Sequence, residues 1–298
     1  MPDELLVEAP PVRSARWGQE RRLEFIDFRL LWEGRINRGE LVEFFGTSIQ
    51  QTSLDLARYM EIAPGNLEYD KREKVYRATN TFKPKLTPAD SQSFLNHLVG
   101  VTTGTLSPSL SFVGWRPPCD IVQFPMRAIR PEILMQILWA IRDEEDIEIA
   151  YQSMRRPTPS RRWLAPHSIA FDGTRWHMRA WCHENADFRD FVLARIQYVH
   201  ESRKSEIDPL SDLRWHTYTT VILRPRGGLT DQQRQAVEVE FGMKNGVLQV
   251  PVREALVFYF VRQLQLDRDA GSSALRGQPI EWVNEKELNH LLLEAAHP

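Results

Sequence analysis

From Ile147 to Ile196 the chain runs through four short stretches of strand-like sequence, IEIAYQS, RRWLAPHSI, GTRWHMRAWC and FRDFVLARI. Successive side chains of a strand point to opposite faces, so a stretch of this kind is committed to a half-buried β-structure. It is also locally basic. Residues 151–205 hold ten Lys/Arg against five Asp/Glu, with four of the eight histidines, although the whole chain carries a net charge of −2. Five acids cannot neutralise ten basic groups one for one, so three or more of these arginines are expected to face an anionic ligand.

At 298 residues, 42% hydrophobic and 26% charged, the chain has room for two or three domains with separate cores. No apolar run approaches a membrane span, and the N-terminal MPDELLVEAPPVRS lacks a basic-then-apolar leader, so a cytoplasmic protein without a membrane partner is expected. Cys119 and Cys182 lie far apart without CxxC spacing, which supports neither a disulfide framework nor structural zinc. His177, Cys182 and His183 could be drawn as metal ligands, but neighbours on a strand diverge, and Cys182 reads as a buried structural residue. Phosphate-loop, dinucleotide, HExxH and GxSxG signatures are missing. Tyr151, Ser153 and His167 could share one mouth, yet no orienting carboxylate stands at a recognisable spacing. The expectation is therefore no catalytic residue, no metal and no cofactor.

After a Pro-rich start that reads as disordered, Trp17–Trp32 has the apolar spacing of a helix, ended by Gly34. Asn37 is placed to cap a second helix over Arg38–Phe45, and Ser48 a third over Ile49–Met60, across a tight Gly46-Thr47-Ser48 turn. A helical wheel puts Ile49, Ser53, Leu56 and Met60 inside and Gln50, Gln51, Leu54 and Arg58 outside. Asn66–Asp70 and Lys71–Arg77 follow as two short strands joined by a polar turn. Gln can bond adenine edges bidentately, and Arg can bond guanine or phosphate. The candidate DNA contacts are thus Ser48, Gln50, Gln51, Thr52, Arg58, Lys71, Arg72 and Lys74. Residues 1–82 carry twelve basic and fourteen acidic side chains, which argues mildly against DNA, but Lys71, Arg72, Lys74, Arg77, Lys83 and Lys85 gather at one end.

Lys83–Thr87 reads as a linker, Pro88–Val99 as a helix capped by Thr87, and Pro131–Asp143 as a helix with more apolar residues than one face needs. The Gly100–Pro118 loop receives no role. Beyond a boundary at Asp208-Pro209 come a strand (Thr217–Leu223), a helix (Thr230–Phe241), a strand (Val247–Pro251) and a helix (Ala255–Leu266) with apolar residues on more than one side.

The basic strand region resembles the WYL domain of bacterial transcriptional regulators. The match rests on Tyr151 and Ser153, on Pro166-His167, and on Arg189 and Arg195 flanking the last strand; the eponymous Trp-Tyr-Leu triplet is here Trp176-His177-Met178. SIQQTSLDLARY with its wing resembles the winged helix-turn-helix that commonly precedes such domains, and the C-terminal part is similar to their dimerisation extension. The order resembles regulators found upstream of anti-phage defence operons. The resemblance implies an α+β multidomain fold: a winged helix-turn-helix over 1–83, a helical connector over 84–146, an Sm-like β-barrel over 147–208 and a small α/β dimerisation domain over 209–298. It implies a homodimeric repressor that binds a palindromic double-stranded DNA operator and senses an anionic nucleotide or nucleic acid. Candidate ligand residues are Tyr151, Ser153, Arg161, Arg162, His167, Trp176, Arg179, Arg189 and Arg195, which offer guanidinium forks, hydroxyls and a stacking ring. A ligand-dependent activator and a nucleic-acid-processing enzyme are the alternatives.

Overall fold

The computed structural model describes residues 12–122, 125, 127–266 and 278–295. The chain divides into two compact units, Met1–Gln123 and Phe124–Pro298. Most of the Pro-rich start lies outside the described residues.

In the first unit, α1 (Val12–Glu33) begins earlier than the apolar spacing indicates and stops at Gly34, whose N–H still bonds Leu30 O while its left-handed backbone turns the chain out of the helix. After β1 (Arg35–Ile36), α2 (Arg38–Phe45) opens with a reciprocal capping box between Asn37 and Glu40. Gly46, at φ +63°, closes α2 and turns the chain into α3 (Ile49–Ile62), where Ser48 Oγ accepts the Gln51 N–H. β2 (Leu67–Asp70) and β3 (Val75–Ala78) complete a β1-β3-β2 antiparallel sheet. This is the expected winged helix-turn-helix.

The next helix, α4 (Ser91–Thr102), starts three residues later than expected and is capped by Asp90, because Thr87 is used elsewhere. The Gly100–Pro118 loop has a structural task that its composition hides. Phe112 and Val113 are buried in the core of the first unit, and the Phe112 ring lies 5.2 Å from Phe25 and 5.8 Å from Phe28.

The second unit opens with α5 (Pro131–Asp143), which lays Ile133, Ile137 and Ala140 against a five-stranded antiparallel sheet. Its strands are β4 (Glu145–Tyr151), β5 (Ser160–Phe171), β6 (Trp176–Cys182), β7 (Asp187–Val192) and β8 (Ile196–Lys204), in the order β7-β6-β5-β4-β8. Bulges break the β4–β8 and β5–β6 registers, and bulges of this kind bend a sheet. No ladder joins β7 to β8 among the described residues; Val192 N–H donates to Tyr151 Oη and Gln152 N–H to Arg195 O instead. Ile137, Ile147, Ile149, Leu164 and Met178 are fully buried here, each contributing about 1.5–3 kcal/mol.

A short helix, α6 (Leu213–His216), leads into β9 (Tyr218–Pro225), α7 (Asp231–Glu240), β10 (Leu248–Arg253) and α8 (Val257–Gln263). Two further elements, β11 (Ile280–Trp282) and α9 (Glu285–Ala295), complete this end of the unit, with β9 central in a β10-β9-β11 sheet. Among the described residues no helix is long and apolar enough to cross a membrane.

Candidate nucleic-acid interface and effector site

The buried face of α3 is not the one its apolar residues suggest. Thr52, Asp55, Leu56 and Tyr59 are buried, whereas Ile49 is 64% exposed and Met60 is also exposed. At about 100° per residue the true inner face is rotated by about 80° from the one that apolar spacing selects. The physical reason is a polar core. Asp55 accepts a two-pronged contact from Arg22, with Nε at 2.6 Å and Nη2 at 3.3 Å. Thr52 Oγ1 donates to Ile49 O, so Thr52 does not reach the surface. Gln51 is half-buried, and its amide donates to Asp55 Oδ1. The outward face of the first two turns is Ile49, Gln50, Ser53, Leu54 and Ala57, with Arg58 further on, ion-paired to Glu61 at 2.7 Å.

Asp27, fully buried on α1, fixes this helix to the chain that leaves the wing. One carboxylate oxygen accepts the N–H groups of Lys85, Leu86 and Thr87 at 2.8–2.9 Å, and the other accepts the hydroxyl of Tyr59. Asn66 closes the group by donating to Tyr59 Oη and Lys83 O. Burial and the neighbouring Asp27 push the Tyr59 hydroxyl well above its ordinary pKa, so it stays a donor. The wing tip is shaped by Asp70, which accepts the Arg72 and Glu73 N–H groups and the Arg77 guanidinium. Lys71, Arg72 and Lys74 project from that turn, exposed and outside every ion pair of the described residues.

The basic balance of the five-stranded sheet changes once the fold is known. Arg179 and Arg189 pair with Asp190 and Asp187 inside residues 151–205, Arg156 and Arg162 with Glu184, and Arg175 with Asp172. Acids beyond that window supply further partners: Glu148 for Arg161, Asp146 for Arg203, Glu144 for Lys204 and Asp212 for Arg179. The one-for-one count fails because acids distant in sequence lie beside the sheet. Arg195 is half-buried and makes no ion pair among the described residues; Arg189 pairs loosely with Asp187, at 3.4 Å.

The other expected ligand residues divide between surface and interior. Arg161 and Trp176 are exposed, and Trp176 packs on the exposed Phe171 at 5.0 Å. Tyr151 is buried, while Ser153 Oγ accepts the Arg155 and Arg156 N–H groups. Arg162 donates to Ser160. His167 and Arg179 are buried together. Arg179 grips Asp212 with Nε at 2.7 Å and Nη2 at 3.0 Å, and His167 Nε2 lies 3.0 Å from the same carboxylate. Burial opposes both charges, but hydrogen bonds from His167 and Arg179 hold Asp212 well below the usual carboxylate range. Asp190 takes the remaining Arg179 nitrogen and accepts the Tyr259 hydroxyl at 3.0 Å, while His177 packs on Tyr259 and bonds Asp172 at 2.9 Å.

This buried lattice binds β5, β6 and β7 to α6 and α8. It explains why α8 carries apolar residues on several sides: Val257 and Val261 face the C-terminal core, while Tyr259 faces the sheet. Sequence reasoning missed Asp27, Asp55, Asp212 and Tyr259. Only Asp212 left a trace, as the cap of α6 just beyond the Asp208-Pro209 boundary. Among the described residues no cluster of His, Cys, Asp and Glu could hold a metal; Cys182 is buried and Cys119 exposed, both free.

Three family models match in the order these elements appear. Residues 18–100 match the BrxR transcriptional regulator winged helix-turn-helix domain, 132–201 the WYL domain, and 218–288 the BrxR C-terminal dimerization domain. Among curated relatives, the DNA-binding transcriptional repressor CapW of Escherichia coli (strain KTE188) is 41% identical over 94% of this chain and 94% of its own. The CapW repressor of Stenotrophomonas maltophilia is 40% identical over 97% of both chains, and that of Pseudomonas aeruginosa 41% over 94% of both. A solved structure of proteasome accessory factor B/C of Arthrobacter aurescens aligns with 97% of this chain and 52% of its own, at 15% identity and a TM-score of 0.26. With the three domains matched in order and identity near two in five along almost the full length, the chain belongs to the family of the CapW DNA-binding transcriptional repressors.

Proposed function

We propose that this protein is a homodimeric repressor of an anti-phage defence operon, that α3 and the β2–β3 wing engage a two-fold-symmetric DNA operator, and that an anionic nucleotide or nucleic acid acting on the five-stranded sheet releases it. The near-full-length identity to the CapW repressors carries this reading. Two features of the chain support it: the first unit carries both an exposed α3 face and a wing tip whose three cations make no ion pair among the described residues, and the C-terminal elements match a dimerisation domain. One winged helix covers too little surface for operator-level affinity, so two copies across a dyad are required. Light scattering at micromolar concentration is expected to give twice the chain mass; a monomer contradicts the reading.

For effector binding, the residues with the least internal engagement are Arg195 and Arg189, and the exposed Trp176–Phe171 pair of the same sheet offers a stacking surface. His167 and Arg179 reach an effector only if Asp212 gives way. Arg195→Ala and Arg189→Ala are expected to keep dimerisation and operator binding while raising the half-maximal inducer concentration at least tenfold, as loss of a charge-assisted bond of about 1.5–3 kcal/mol requires. Titrating short single-stranded DNA and mononucleotides against the protein–operator complex measures this. A normal response in both variants places the effector elsewhere.

A further inference from the structure

Ile49 and Leu54 are large aliphatic residues in the first two turns of α3, 64% and 62% exposed. In a helix that reads DNA, these N-terminal turns reach the base edges. No described residue of the first unit buries the two side chains. They do not form one apolar patch either: at about 100° per residue they stand some 140° apart, with Gln50 and Ser53 between them. A protein partner needs contiguous apolar surface, which this face does not offer. The wing of the same unit supplies cations instead, the exposed Lys71, Arg72 and Lys74.

The apolar feature of the DNA major groove is the thymine C5-methyl group, and an amide matches the N6 and N7 edge of adenine. Gln50 is exposed, and its amide makes no hydrogen bond among the described residues, in contrast to Gln51, which is held by Asp55. Ser53 spends its hydroxyl proton on Ile49 O, which leaves it a poor donor to a base. The face therefore presents one free amide flanked by two aliphatic groups. Resting on the operator-binding role proposed above, we infer that Leu54 and Ile49 are specificity-determining residues that contact thymine methyl groups on either side of an adenine read by Gln50, so that each half-site is A·T-rich under α3.

The full-length chain, incubated with a random duplex pool, is expected to enrich a motif with such a tract in each half. Re-synthesis of the enriched duplex with deoxyuridine for thymine, one position at a time, removes only the methyl group. At two thymines per half-site binding should weaken about fourfold, the equivalent of about 0.8 kcal/mol for one buried carbon. Leu54→Ala should abolish the loss at one of them and Ile49→Ala at the other, while Lys71→Ala weakens all duplexes alike. Both side chains are exposed, so neither variant threatens folding. Wild-type protein indifferent to every methyl removal, or variants that keep the full sensitivity, overturns the inference while leaving operator binding in place. A pool that enriches no sequence overturns the operator-binding role itself and this inference with it.

Discussion

Replacing Asp212 with Ala is expected to destabilise the second unit by about 3–5 kcal/mol, the cost of leaving buried charge without its partner. The carboxylate receives two nitrogens of Arg179 and one of His167, and it also accepts the Trp215 N–H at the start of α6. With about 2–4 °C of melting temperature per kcal/mol in a unit of this size, the loss is on the order of 10 °C by calorimetry. An Asp212→Asn, Arg179→Met double variant should recover part of it, because the orphaned guanidinium is then gone. The pH dependence has a definite sign. Asp212 and Asp172 are both held below the ordinary carboxylate range, so their stabilisation is fully present above the unfolded value of about 4 and is lost as pH falls below it. The denaturation midpoint of the native protein should fall from pH 5 to pH 3, and that of Asp212→Asn should fall less. An unchanged melting temperature in Asp212→Ala would mean that the lattice does not join the sheet to the C-terminal elements.

The second large effect is electrostatic and belongs to the wing. Lys71, Arg72 and Lys74 pair with no acid among the described residues, so each is free to neutralise a phosphate. Each phosphate contact contributes about 0.9 to the slope of log affinity against log salt, so three cations on each of two chains make the native slope steeper by about five. The triple Ala variant should lose that part of the slope, with affinity falling by orders of magnitude at low salt and much less at high salt. Gel shifts over a range of salt concentrations read it directly. A triple variant with the native slope would take the wing off the phosphate backbone.

The parts of this fold legible in the sequence are those fixed by neighbours along the chain. Asn37 with Glu40, Ser48 with Gln51, and the left-handed Gly46 are local signals, and they placed α2 and α3 correctly. The first four strands of the sheet were legible for the same reason, since alternation is a property of adjacent residues, whereas β8 went unread. What depends on distant residues was not. The inner face of α3 is polar because Asp55 meets Arg22, 33 positions earlier, and no wheel drawn on α3 alone contains that arginine. Arg179 looked like a ligand-binding residue because Asp212, also 33 positions away, lay outside the window being counted. Pairing of Arg161 with Glu148 escaped in the same way. The Gly100–Pro118 loop carried no periodicity to reveal that Phe112 belongs to the aromatic core, and β11, three residues long, is too short to show one.

The most direct test of the central claim is a footprint of the full-length protein on the DNA immediately upstream of its own gene, with the bound stoichiometry measured on the same duplex. Two chains should protect two inverted half-sites about one helical turn apart, and the protection should be lost when Gln50, Arg72 and Lys74 are all replaced by Ala. Protection that lacks two-fold symmetry, or none at all at concentrations where the protein is dimeric, would contradict it.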